Sequence, residues 1–210
     1  MMKKCGQKVG GVMVLVMGLV LVAALAGCGP KAVRGGPGTD NPELNDKALS
    51  AKLDLADIEY LVSTNLKALS AAQGWAKVIA KAEQPPLVAI FPIQNNSTQH
   101  IDDQMDTLLS SIETYLVNNG GVRVVSREMQ RKLINELQIR QSDLYDPQTA
   151  GRLGKQLGAQ FFVTGKIMSV DERLKNTRRV QYSLFLQVIE VETGLVIFQK
   201  ESTRSKAIKG

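Results

Sequence analysis

The chain has few of the residues that catalysis and metal binding draw on. Its two cysteines, Cys5 and Cys28, both lie near the N-terminus, so everything after Cys28 lacks a thiol for a disulfide, a metal site or a nucleophile. His100 is the single histidine. It stands in a polar run beside Asp102 and Asp103, where an imidazole could serve as a base, yet no nucleophile has a recognisable spacing from it, and a surface-loop histidine accounts for it more simply. Aromatic residues make up 5% of the chain, and the one tryptophan, Trp75, reads as a loop anchor on the core. A phosphate-binding loop is missing too. Gly151, Gly154 and Gly158 fall within and just after a helical pattern, Lys155 is not followed by Ser or Thr, and Thr164-Gly165-Lys166 fails for the same reason. Asp102, Asp103 and Asp106 could gather a cation, but helix capping explains them with less. The residues therefore point to no enzyme, no cofactor, no metal and no small-molecule substrate.

Charge of one sign is also in short supply. The formal net charge is +6, and no acidic residue precedes Cys28, so loss of Lys3, Lys4 and Lys8 with a cleaved leader leaves +3. That excess is no nucleic-acid signature. The basic cluster at Arg173, Lys175, Arg178 and Arg179 reads as a solvated hairpin tip.

What the N-terminus does have is an address. Lys3, Lys4 and Lys8 form a positive region, Val9 to Leu25 an uncharged apolar core, and small residues follow at a cut site, the pattern of a secretory signal over residues 1–27. A single transmembrane helix is the alternative, since about 17 to 25 apolar residues can span a bilayer. Leu25-Ala26-Gly27-Cys28 resembles the lipobox of bacterial lipoproteins. The resemblance implies cleavage before Cys28, lipidation of its thiol and acylation of its amino group, a multi-chain anchor of the kind that holds stably to a bilayer. In Gram-negative lipoproteins an Asp at the position of Gly29 commonly signals retention in the inner membrane, so the outer membrane, facing the periplasm, is the expected location; in a Gram-positive cell the same anchor would hold the chain on the outer face of the plasma membrane.

Residues 28–50 are rich in Gly, Pro and Asn around Gly35-Gly36-Pro37-Gly38 and are expected to be a flexible tether, reaching roughly 75 Å at full extension. One globular domain should occupy 51–203, with 204–210 as a tail. Asp54 is the expected cap of a first helix carrying Leu55, Ile58, Val62, Leu66 and Leu69 and stopped by Gly74. Leu87 to Phe91 reads as a buried strand, followed by a polar loop, Gln94 to His100. A helix capped by Asp102 or Asp103 then buries Met105, Leu108, Leu109, Ile112, Tyr115 and Leu116 and stops at Asn118-Asn119-Gly120-Gly121. Val122 to Val125 is a second strand, expected to be parallel to the first. Ser126 can cap a helix carrying Leu133, Ile134 and Leu137. After a loop over Gln141 to Asp146, Asp146-Pro147 opens a short helix with Ala150, Leu153 and Leu157, closed by Gly158. Phe161 to Val170, Val180 to Val191 and Leu195 to about Ser202 should form an antiparallel meander. The fold class is α/β (α+β), with a mixed sheet. In the long strand Tyr182, Leu184, Leu186 and Val188 share one face, and Gln181, Ser183 and Gln187 share the other with Phe185 and Ile189. A half-polar face bearing a large apolar residue suits a docking surface, although an ordinary solvated face explains it equally well. The positions expected to bind a partner are Thr164, Lys166, Ser183, Phe185 and Gln187, with Leu195 at the hairpin.

Several features in order along the chain give it a wider likeness. They are the lipobox at Cys28, Asp54-Leu55, the strand ending before Asn95 with Ile101-Asp102 soon after, Gly154-Lys155-Gln156-Leu157-Gly158-Ala159, Thr164-Gly165, Tyr182, and Glu192-Thr193-Gly194. Over about 54–198 the chain resembles the LpoB family of penicillin-binding-protein activators, outer-membrane lipoproteins with a domain like the N-terminal one of TolB. The resemblance implies no chemistry of the chain's own. It implies binding to a class A penicillin-binding protein across the peptidoglycan, with stimulation of its glycosyltransferase and transpeptidase activities in cell-wall synthesis. Two other readings of the residues stand beside it. One is a structural or assembly lipoprotein that binds peptidoglycan or another secreted component. The other is an envelope enzyme with His100 and Asp103 as acid and base.

Overall fold

A computed structural model of the protein describes residues 31–33, 50–119 and 121–209. The signal segment and Cys28 lie outside the described residues. Strand β1 is Lys31–Val33, followed by helices α1, Leu55–Ala71, and α2, Gln73–Lys81. Strand β2 is Leu87–Asn96, α3 Asp102–Asn119, β3 Arg123–Val124 and α4 Arg127–Glu136. A 3-10 turn over Gln141–Tyr145 leads to α5, Pro147–Gln156. The chain ends in three strands of equal length, β4 Phe161–Leu174, β5 Thr177–Glu190 and β6 Val196–Lys209.

These strands form one mixed sheet in the order β1-β6-β5-β4-β2-β3. Strand β2 is parallel to both β3 and β4, while β4, β5, β6 and β1 are antiparallel in turn. The two expected units are therefore present, the strand-helix-strand and the meander. Helices α1, α2 and α3 cover one face, where Ile58, Leu61, Leu66, Leu108, Ile112 and Leu116 pack on Val88, Ile90, Val163, Ile167, Leu184 and Leu186. Each such side chain, fully buried, contributes about 1.5 to 3 kcal/mol. A second, smaller core lies on the opposite face, where Leu144, Ala150 and Leu153 pack on Ala89, Phe91 and Phe162.

Some expectations are corrected. Gly74 does not stop a helix: Ala72, in extended backbone, ends α1, and Gly74 lies in the first turn of α2. Trp75 belongs to that helix, is buried, and meets Phe161 edge to face with ring centroids 5.4 Å apart. Leu137, expected on a buried face, is the exposed C-cap of α4, and the Ser126 side chain makes no capping bond. The last three strands all run further than their apolar runs suggested. In particular, 204–209 is the end of β6 rather than a tail, with Ser205, Lys206 and Ala207 buried. Within the segment expected to be a tether, Lys31–Val33 pairs with Ala207–Lys209 at the sheet edge, and 34–49 lies outside the described residues.

Candidate functional site

The helices do not cover the sheet evenly. On the face opposite α1 to α3, the 3-10 turn, α4 and α5 pack over β2 and the start of β4, which leaves the middle of β4, β5 and β6 open. Strand alternation decides what stands there. In β5 every second residue from Val180 to Val188 is buried under the helices, so Gln181, Ser183, Phe185, Gln187 and Ile189 point the other way and are half-buried.

Register brings the expected residues together. Thr164 is opposite Gln187 and Lys166 is opposite Phe185 on β4 and β5, and all five expected strand positions are half-buried on this one face. The Lys166 ammonium lies 5.8 Å from the centroid of the Phe185 ring, within reach of a cation–π contact. Strand β6 contributes residues that the sequence reading missed. Thr203 is opposite Ser183 with hydroxyls 3.2 Å apart, Glu201 is opposite Phe185, and the Gln187 amide donates to Gln199 Oε1 at 3.2 Å. Gln199 and Glu201 lie within the strand expected over Leu195 to about Ser202, and their alternation was the available signal; Thr203 lies just beyond its expected end.

A groove of about 420 Å³ runs beside these residues, with Gln94, Thr164, Lys166, Phe185 and Gln187 on its floor and Ala150 and Gly151 of α5 among its lining. At the end nearest the β5–β6 turn it reaches Gly194 and Val196. Leu195 stands at that turn, 60% exposed, next to Val196 at 47%. Leu195 is thus displaced from the strand positions along the sheet, towards one end of the groove. Two close approaches shape the region. A Cβ on Gly165 would meet the Phe185 carbonyl oxygen at 2.0 Å, and one on Gly154 of α5 would meet Val191 at 2.9 Å.

The helix-side face holds the strongest electrostatics instead. Tyr182 is buried with its hydroxyl within hydrogen-bond distance of both the Ala51 carbonyl, at 3.0 Å, and Gln99 Oε1, at 2.9 Å; burial pushes it up to about 12. At the β4–β5 turn, the Arg178 guanidinium hydrogen-bonds Asp171 and holds its carboxyl below the usual range, while Arg179 pairs with Glu172.

Of the residues weighed for chemistry, His100 and Asp103 are exposed and neither lines the groove. Asp106 is in an ion pair with Arg127 at 3.2 Å. Among the described residues no cluster of ligands is arranged for a metal ion, and no helix is long and apolar enough to cross a membrane.

Solved structures share this architecture. The LpoB C-terminal domain from Salmonella enterica matches with a TM-score of 0.52 at 16% identity, covering 70% of this chain and 97% of that one. The LpoB C-terminal domain from Escherichia coli matches with a TM-score of 0.53 at 14% identity over the same shares. The NMR structure of E. coli LpoB matches with a TM-score of 0.52 at 15% identity, covering 81% of this chain and 79% of that one. At these identities the likeness establishes the fold. None of the curated proteins matches the sequence. The family model described as peptidoglycan-synthase activator LpoB matches residues 57–203, which is most of the chain and nearly all of the described domain, and the chain therefore belongs to the LpoB family.

Proposed function

We propose that this protein is a non-catalytic lipoprotein, held to the outer membrane through lipid on Cys28, that binds a class A penicillin-binding protein from the periplasmic side and raises its peptidoglycan-synthesising activities. Membership of a family described as peptidoglycan-synthase activators carries the reading. Activation of one protein by another requires only that the activator bind the active conformation more tightly than the inactive one. No group on the activator need touch the reacting sugar.

The open face of β4, β5 and β6 suits that role. It offers an aromatic ring, a cation and a row of amides and hydroxyls on a rigid sheet, beside a groove that admits a partner's side chain. Buried aromatics with polar groups around them are the usual anchors of protein interfaces. Thr164, Lys166, Ser183, Phe185 and Gln187 form its centre in this reading, with Leu195 at its rim.

The test is the rate of glycan-chain polymerisation by purified class A penicillin-binding proteins of the host, with and without the full chain in detergent. A rate that rises and saturates with added chain supports the activator and names its partner. No change with any of these synthases, together with co-sedimentation of the chain with purified sacculi, turns the reading towards a structural lipoprotein.

A further inference from the structure

The basic cluster at the β4–β5 turn and the position of β1 lie at the same end of the sheet. Register aligns Leu174 with Thr177, Thr177 with Lys209 and Lys209 with Lys31, so the turn, the end of β6 and the start of β1 form one edge. Lys31 is three residues from Cys28. A chain extends by at most about 3.6 Å per residue, so a linkage of three residues spans roughly 10 Å at most.

Around the turn the chain places Arg173, Lys175, Arg178 and Arg179 against two acids, Asp171 and Glu172, which are already engaged with Arg178 and Arg179. Arg173 and Lys175 are exposed. The opposite end of the sheet, with Glu192, Leu195 and Val196, is distant by the length of β4, which is 14 residues, or about 45 Å at roughly 3.3 Å per residue.

We infer that this edge is a membrane-facing surface: lipid on Cys28 draws it onto the bilayer, and Arg173 and Lys175 beside the turn engage the phosphates of anionic phospholipid headgroups. The inference rests on the lipid anchor of the proposed function. The sheet then stands away from the membrane, carrying the Leu195 end of the groove outermost. The sheet itself then supplies the reach towards a partner. Cations placed by a lipid anchor within a Debye length of an anionic surface are attracted to it.

The test uses the full chain matured in a lipoprotein-processing host and reconstituted in vesicles of phosphatidylethanolamine and phosphatidylglycerol. Because no cysteine follows Cys28, a single fluorescent label can be placed by Asn176→Cys at the basic turn or by Glu192→Cys at the far turn. A quencher attached to lipid headgroups is expected to quench the label at 176 strongly and the label at 192 little. Arg173→Gln with Lys175→Gln, or replacement of phosphatidylglycerol by phosphatidylcholine, is expected to reduce quenching at 176, with docking weakened about fivefold for each cation removed. Thermal unfolding of the labelled variants checks that they fold alike. Equal quenching at the two turns overturns the orientation, and quenching at 176 that ignores both lipid charge and the substitutions overturns the headgroup contact. Mass spectrometry of the N-terminal peptide separates the two readings. An unmodified Cys28 overturns this inference with the anchor it rests on, whereas activation of the synthase is decided by the polymerisation assay.

Discussion

The Lys206 ammonium is ion-paired with Asp57 where neither side chain meets solvent. Lys206 comes from the end of β6 and Asp57 from the first turn of α1, and the same ammonium reaches Asp54 Oδ2 at 2.9 Å and the Lys52 carbonyl at 2.6 Å. Asp54 and Asp57 also close the capping box of α1, each accepting from the other's backbone N–H at 3.1 and 3.0 Å. Helix start, ion pair and last strand are thus one arrangement.

Lys206→Ala removes the cation and leaves buried carboxylate behind, so it is expected to destabilise the domain by about 3 to 5 kcal/mol. Asp57→Asn in the same background neutralises the stranded charge. Urea unfolding of both single variants and the double variant should find the double less destabilised than the sum of the singles. Additive losses would mean that the two side chains do not act together.

Gly165 has no room for a side chain, because its Cβ would fall 2.0 Å from the Phe185 carbonyl oxygen, a backbone atom of the paired strand. Gly165→Ala must push β4 and β5 apart at the centre of the open face. A loss of about 1 to 3 kcal/mol is expected, measured by chemical denaturation. Gly194→Ala is the contrast. Nothing lies near its Cβ, but its φ is +73°, so its cost is conformational, about 1 kcal/mol, and is confined to the β5–β6 turn.

Where a segment's own pattern decides its structure, the sequence was sufficient. β5 alternates strictly, and the parity that buried Tyr182, Leu184, Leu186 and Val188 turned Ser183, Phe185 and Gln187 to the half-buried open face. Where a partner segment decides, it was not. Ser202 is expected at the end of the last strand, and Arg204 and Lys206 in a tail beyond the domain. They face α1 across the sheet, where Asn65 donates to Ser202 Oγ, Arg204 lies over the Tyr60 ring and Asp57 pairs with Lys206. A buried lysine is tolerable only with its acid, and that pairing spans nearly the whole domain. Helix α2 was lost for a local reason. Trp75, Val78 and Ile79 recur at helical spacing and all pack on the core, but the reading gave more weight to Gly74 than to that spacing.

Tyr182 makes the fold sensitive to alkaline pH. Burial raises its folded pKa to about 12 from the ordinary tyrosine value of 10.0, so the folded state holds the proton more tightly than the unfolded one. Its contribution is fully present below pH 10 and is lost as the pH rises through about 12. Unfolding midpoints in urea are expected to fall across that window in the native chain. In Tyr182→Phe this part of the fall should disappear, with a loss of about 1 kcal/mol at neutral pH from the hydrogen bond to Ala51. An unchanged alkaline profile in Tyr182→Phe would assign the fall to other groups.

Phe185 decides whether the open face is the binding surface. Its ring is half-buried between Lys166 on β4 and the strand carrying Glu201, on the side away from the main core. Phe185→Ala therefore removes little of the packing that holds the helices to the sheet, and a stability change of about 1 kcal/mol is expected, at the centre of the distribution for point substitutions. A partner that buries the ring loses more, since truncating an aromatic anchor at the centre of an interface costs about 2 kcal/mol or more, roughly thirtyfold in affinity. Surface plasmon resonance against the synthase identified by polymerisation, with thermal unfolding of the same preparation, separates the two effects. Weakened binding with a nearly native midpoint places the ring in the interface. Native affinity with a native midpoint removes it from the interface, and a large fall in midpoint moves Phe185 to the core. Gln187→Ala distinguishes a partner that docks across the face from one that occupies only the groove end at Leu195. In the first case Phe185→Ala and Gln187→Ala both weaken binding, because the two side chains lie two residues apart on one face of β5. In the second, Leu195→Ala alone does so.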